Sequence, residues 1–194
     1  MNVPDTPHMD EGGLAAFTEH IEGIDTYLEY GCGGSTVFAA RSGVKNLIAV
    51  DTSSAWIDAV REGTQQYGTH VRLVHCDLGE VGAWGRPVDD ARIADYHRYA
   101  VMPWEAAKES GLVPQLVLID GRFRVASFLY TLICARPGTT ILFDDYLDRP
   151  EYHVVEQFCG MKEAHGRMGI FIANQQFQFA DLAQAFARYS IVVD

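Results

Sequence analysis

Five short apolar runs in this 194-residue chain end in carboxylates. TYLEY carries Glu29, NLIAVD ends in Asp51, HVRLVHCD in Asp77, PQLVLID in Asp120, and TTILFDD in the pair Asp144 and Asp145. Carboxylates accept hydrogen bonds from sugar hydroxyls, attract cations, ligate hard metals and take up protons. In EYGCGGST the glycines 31, 33 and 34 follow Glu29 directly, which lets a tight loop and the helix start behind it bring bare backbone amides up to a ligand. Asp51 stands twenty residues beyond Gly31, the distance at which a second-strand acid accepts hydrogen bonds from ribose hydroxyls. A nucleoside-bearing cofactor is the expected guest. Thr36 occupies the place where a dinucleotide fingerprint needs its third glycine, and Glu29 suits an ammonium better than a pyrophosphate.

These residues need a scaffold that gathers strand ends. Strand-length apolar runs alternate with segments of helical period, which predicts a single α/β domain over residues 1–194, doubly wound, with a mostly parallel sheet covered by helices on both faces. In such a sheet ligands bind at the carboxyl ends of the strands, where all of the acids above would lie. Leu14, Phe17 and Ile21 predict a leading helix, and Trp56, Ile57 and Val60 a helix capped by Ser53 or Ser54. Val125, Phe128, Leu129, Leu132 and Ile133 predict an amphipathic helix that stops at Arg136-Pro137-Gly138. Pro150 suits the first turn of a helix that turns Tyr152, Val155 and Phe158 inward. GMKEAHGRMGIFIAN reads as two strands around Gly166, an antiparallel addition near the C-terminal end. Leu182, Ala185, Phe186 and Tyr189 mark a last helix, with YSIVVD as an alternative closing strand. Residues 78–113 are irregular in apolar spacing and rich in Trp, Tyr and His; they read equally as a substrate-covering insertion or a surface loop.

Composition narrows the partners. The formal net charge of −11 argues against nucleic acid and anionic membranes, whose recognition rests on clustered Lys and Arg. No run reaches the roughly 20 apolar residues of a membrane span. Four scattered cysteines without a CxxC pair read as reduced thiols, and the polar start of the chain is unlike a signal peptide, so a cytoplasmic location is expected. A small-molecule substrate is the expected partner, with homo-oligomer formation left open.

In order, EYGCGGST, LIAVDTS, VHCDLG and LVLIDG resemble the four motifs of class I S-adenosylmethionine-dependent methyltransferases, over roughly residues 24–175. The resemblance implies a Rossmann-like fold and S-adenosylmethionine as cofactor, held by Glu29, Gly31, Gly33, Gly34, Ser35, Asp51, Thr52, Asp77, Asp120 and Gly121. Asp51 would hold the ribose, the Asp77 region the adenine amino group, and Asp120 would lie beside the transferring methyl. LIDGRFRVASFLYTLICARPGTTILFDDY is also similar to metal-dependent O-methyltransferases of the catechol and macrocin types, which implies a divalent cation, Mg²⁺, on Asp120, Asp144 and Asp145. Three clustered carboxylates would need such a cation, or protonation, to relieve their repulsion. Phe123 stands where the catechol type places a lysine base.

The expected reaction is methyl transfer to a small-molecule acceptor, at a hydroxyl oxygen, with Asp120 and His153 as catalytic residues and His97 as a further candidate base. Trp84, Trp104, Tyr96 and Tyr99 could line an acceptor pocket or simply pack. Arg122 and Arg124 could bind an acidic acceptor or balance the aspartates. Two other functions fit the same residues: a nucleoside-cofactor binding module without turnover, and a nicotinamide-dependent oxidoreductase.

Overall fold

The computed structural model describes residues 2–194. Side chains on a strand point alternately to the two faces of its sheet, and this chain fills both faces. Strand β1 (Thr26–Tyr30) is buried along its whole length. Its Tyr27 packs with Ala16, Phe17 and Ile21 of α1 (Glu11–Ile21), Ala39 of α2 (Gly34–Arg41), and Ile57 and Val60 of α3 (Ser54–Thr64). Its Leu28 and Tyr30 face the opposite core, built by α4 (His97–Glu109), α5 (Arg124–Cys134) and Leu182 of α6 (Phe179–Tyr189).

Seven strands pair in the order β3-β2-β1-β4-β5-β7-β6. The parallel members are β1, β2 (Asn46–Asp51), β3 (His70–His75), β4 (Leu116–Ile119) and β5 (Thr140–Phe143). β7 (Met168–Ile172) lies antiparallel to β5 and to β6 (Glu163–His165), so the expected antiparallel addition is present. The chain winds outward through β2 and β3 on one side of β1 and through β4 and β5 on the other. The gap between the carboxyl ends of β1 and β4 is therefore the switch point at which open α/β sheets place ligands.

Three expectations change. Residues 78–113 hold the crossover helix α4, whose buried face is Tyr99, Ala100, Pro103, Trp104, Ala106 and Ala107. That face was hard to see because three small alanines and a proline make up four of its six residues, and Pro103 deprives the Tyr99 carbonyl of its helical donor. Tyr96, Tyr99 and Trp104 are consequently core residues, while Trp84 is exposed. The segment after Pro150 is a 3₁₀ helix, Pro150–Gln157, although it buries Tyr152 and Val155 as expected. YSIVVD forms no strand: the chain leaves α6 and brings the Asp194 carboxylate to the Arg124 amide at the start of α5, 2.8 Å away. All four cysteines are free, and among the described residues no helix is long and apolar enough to cross a membrane.

Candidate functional site

The glycine loop leaves β1 through Gly31, whose φ of +86° lies in the left-handed region. A Cβ there would stand 2.7 Å from the Cα of Gly121, so the backbones leaving β1 and β4 meet at the switch point. Behind the loop, Thr36 does what a third glycine could not. Its hydroxyl accepts from the Gly33 amide at 2.8 Å and donates to Glu29, whose other oxygen accepts from the Tyr27 hydroxyl at 2.8 Å. Glu29 is fully buried, with both carboxylate oxygens engaged inside the protein. In this conformation it shapes the loop from beneath, and the ammonium contact expected of it has no open path. Ser35 is likewise buried in the first turn of α2.

Burial raises the Glu29 carboxyl from 4.5 to about 7, against the lowering effect of its hydroxyl partners. A carboxyl that holds its proton more tightly folded than unfolded contributes stability that is complete below its unfolded pKa and is lost as pH rises through about 7. Glu29→Gln cannot ionise and is expected to flatten that decline. Urea denaturation at several pH values from 5 to 8 measures it, and a slope equal to that of the wild type would show that Glu29 does not titrate there.

Asp51 ends β2 beside the loop. One oxygen accepts from the Cys32 amide at 3.3 Å and the other from the Ser53 amide at 2.9 Å, which leaves lone pairs on both for further donors. Burial raises its pKa from the usual carboxylate value. The Thr52 hydroxyl is used internally, on the Gly85 carbonyl at 2.6 Å. Asp77 is exposed at the end of β3 and accepts from the Gly79 amide at 3.0 Å, a bond that lowers its pKa.

Asp120, Asp144 and Asp145 do gather, with one oxygen from each lying within 4.8 Å of the others. Arginines meet them. Arg124 lies 3.2 Å from Asp120 and 3.0 Å from Asp145; Arg167 grips both oxygens of Asp144 at 3.2 and 2.9 Å and reaches Asp145 at 2.9 Å; Arg149 lies 3.6 Å from Asp145. Burial is the main force raising Asp120 above the ordinary carboxylate range, and the neighbouring acids add to it while Arg124 opposes it.

The N-terminal segment runs over this edge. The backbone of Thr6 rests against Gly34, where a Cβ would fall 2.2 Å from its carbonyl oxygen. The His8 carbonyl accepts from Arg167 at 3.0 Å, and Asp10 caps α1 through the Gly13 amide while also holding the Arg167 amide.

The chain is 34% identical to a methyltransferase-like protein from Silicibacter pomeroyi, covering 97% of this chain and 98% of that one with a TM-score of 0.87. The chain belongs to the class I methyltransferase family. More distant likenesses show the same fold. They include the N-methyltransferase NodS from Bradyrhizobium japonicum, solved with S-adenosyl-L-homocysteine (11% identity, 84% of this chain and 89% of that one, TM-score 0.51). The C-terminal domain of precorrin-6Y C5,15-methyltransferase from Rhodobacter capsulatus is another (15% identity, 90% and 98% coverage, TM-score 0.52). No protein-family model matches the chain, and no curated protein does.

Within this methyltransferase-family chain the three aspartates do not fit a divalent metal. The repulsion that a cation was expected to relieve is already relieved by Arg124, Arg167 and Arg149, and a bound Mg²⁺ would sit against three guanidiniums. Arg124, one of the residues expected to balance the acids, does so; Arg122 instead reaches the Asp194 carbonyl. Arg167 escaped the sequence reading because it arrives from the β6–β7 turn, 23 residues beyond Asp144, with no local pattern to announce it. Millimolar Mg²⁺ or chelator is expected to leave the thermal midpoint unchanged, since a ligand stabilises only what it binds. A rise of several degrees on adding Mg²⁺ would reinstate the metal site.

The proposed catalytic histidine is not in the acidic cluster. His153 is exposed on the 3₁₀ segment, its ring 4.7 Å from that of Tyr146 and its Nε2 3.1 Å from the Tyr146 carbonyl. A carbonyl only accepts, so Nε2 is the donor in this contact and Nδ1 is the nitrogen left for other partners. His97 is also exposed, with Nδ1 on the Ala94 carbonyl at 2.9 Å.

Proposed function

We propose that the protein transfers a methyl group from S-adenosylmethionine to a hydroxyl oxygen of a small-molecule acceptor. The observation that carries this reading is the switch point itself, where the backbones of Gly31 and Gly121 meet with Asp51 on one flank and Asp120 on the other. Asp51 has lone pairs free for the ribose diol. The loop amides and the start of α2 receive the amino-acid end. Asp120 stands beside the methyl, and its raised pKa suits a base that takes the acceptor's proton as the new carbon–oxygen bond forms and the carbon–sulfur bond breaks in line. His153 would join the reaction only through Nδ1, from outside the cluster, so Asp120 is the stronger candidate.

Titration calorimetry with S-adenosylmethionine, S-adenosylhomocysteine and NAD tests the cofactor; binding of NAD alone would overturn the proposal. Release of S-adenosylhomocysteine over a panel of hydroxylated acceptors tests turnover. Asp120→Asn is expected to lower kcat by about 10²-fold or more while cofactor binding persists. Intact turnover in that variant would remove Asp120 from the chemistry. A nucleoside-binding module without turnover is the second reading, favoured by the enclosed Glu29 and the arginine-paired acids, and it would show binding with no release on any acceptor.

A further inference from the structure

Between β3 and α4 the chain makes a tight excursion closed by a bridge between Val81 and Pro87 and by the Gly82 amide on the Arg86 carbonyl at 2.8 Å. At its tip Trp84 adopts φ 59° and ψ 27°, a left-handed conformation that a bulky side chain seldom takes, and 80% of its surface is exposed. Folding gains little from this arrangement: the backbone is strained, and the largest apolar side chain the sequence offers is left in water. Strain of this kind persists where surrounding contacts impose it, and it concentrates at ligand clamps.

The contacts that impose it lie at the nucleoside end of the site. The carbonyl of Gly85 accepts the Thr52 hydroxyl, and a Cβ on Gly85 would come within 2.4 Å of that hydroxyl oxygen and 3.5 Å of the Asp51 carboxylate. Trp84 is thus held one residue from the carboxylate assigned to the ribose. Its direction follows from the opposite side. The indole approaches the ring of His8 with centroids 6.1 Å apart, and His8 belongs to the N-terminal segment that crosses the strand ends between Gly34 and Arg167. The turn that carries Trp84 is thereby tied to the end of β2 through Gly85, and its indole to the N-terminal segment through His8.

We propose that Trp84 is the base-stacking residue of this site, laying its indole on the purine of the bound cofactor while Asp51 holds the ribose beneath. The proposal rests on the nucleoside-binding reading above and adds to it a residue outside the glycine loop and strand ends. An indole face held near a ribose site recognises a flat heterocycle through stacking, and the left-handed turn fixes the ring before the ligand arrives.

The test compares wild type, Trp84→Ala and Trp84→Phe with two ligands, S-adenosylhomocysteine and 5′-methylthioadenosine, which shares the nucleoside and lacks the amino-acid tail. Trp84→Ala is expected to weaken both by the same factor, about tenfold or more, and Trp84→Phe to keep most of the affinity. Indole fluorescence should be quenched more strongly by either ligand in the wild type than in Trp84→Phe, where the remaining signal comes from the buried Trp104 and from Trp56, whose Nε1 donates to the Cys32 carbonyl of the glycine loop. Affinity within twofold of wild type in Trp84→Ala, or a loss confined to S-adenosylhomocysteine, overturns base stacking while leaving the cofactor assignment in place. If the wild type binds neither ligand, the cofactor assignment itself falls, and the stacking role with it. Thermal midpoints within a few degrees of wild type are expected for a side chain so exposed; a large fall would mark Trp84 as structural and overturn the proposal.

Discussion

Arg124→Met is expected to lower folding stability by about 3–5 kcal/mol at neutral pH, the range for breaking a buried ion pair from one side. The guanidinium is 5% exposed. It donates to the carbonyls of Gly121 at 3.0 Å, Asp144 at 2.8 Å and Asp120 at 3.3 Å, and pairs with the carboxylates of Asp120 and Asp145. Methionine fills the aliphatic part of that volume and satisfies none of those oxygens. For a domain of this length the thermal midpoint should fall by roughly 10 °C. Arg124→Lys keeps the charge without the planar fork and should fall between wild type and methionine. Urea denaturation decides the matter: a deficit below about 1 kcal/mol would mean that Arg167 and Arg149 suffice.

The second large effect belongs to ligand affinity. Asp51→Ala is expected to weaken S-adenosylhomocysteine binding about 100-fold or more, since two hydrogen bonds from ribose hydroxyls to a carboxylate are worth about 1.5–3 kcal/mol each. The same carboxylate organises the protein around it through the Cys32 and Ser53 amides, so the alanine variant should also lose some stability. Asp51→Asn separates the two roles, because the amide oxygen preserves one of those bonds and the shape of the side chain while removing the charge. Its affinity should lie between the other two. Because burial raises the Asp51 pKa, wild-type affinity should decline on the acid side at a higher pH than an exposed aspartate would give, and Asp51→Asn should lack that limb. Calorimetry that found Asp51→Ala within threefold of wild type would displace the ribose from the end of β2.

Much of this architecture is written locally. The strands show themselves as apolar runs, α5 as a 3.6-residue stripe through Val125, Phe128, Leu129 and Leu132, and the β6–β7 hairpin as two short runs about Gly166. Such signals survive in one dimension because backbone periodicity ties a residue's facing to its nearest neighbours in sequence. For the same reason α4 was obscured, since a helix face made of Ala100, Pro103, Ala106 and Ala107 gives the pattern little contrast.

The electrostatic character of the site is a different matter. From residue types alone Glu29 reads as a ligand-facing carboxylate and the three aspartates as a metal cluster. Folding encloses Glu29 between Tyr27 and Thr36 and brings Arg167 from a distant hairpin onto Asp144 and Asp145. Which acids stand at strand ends could be read from the chain because periodicity is a property of neighbouring residues. Which of them are open, paired or protonated depends on burial and on charges brought from far along the chain, and only the packed molecule supplies both.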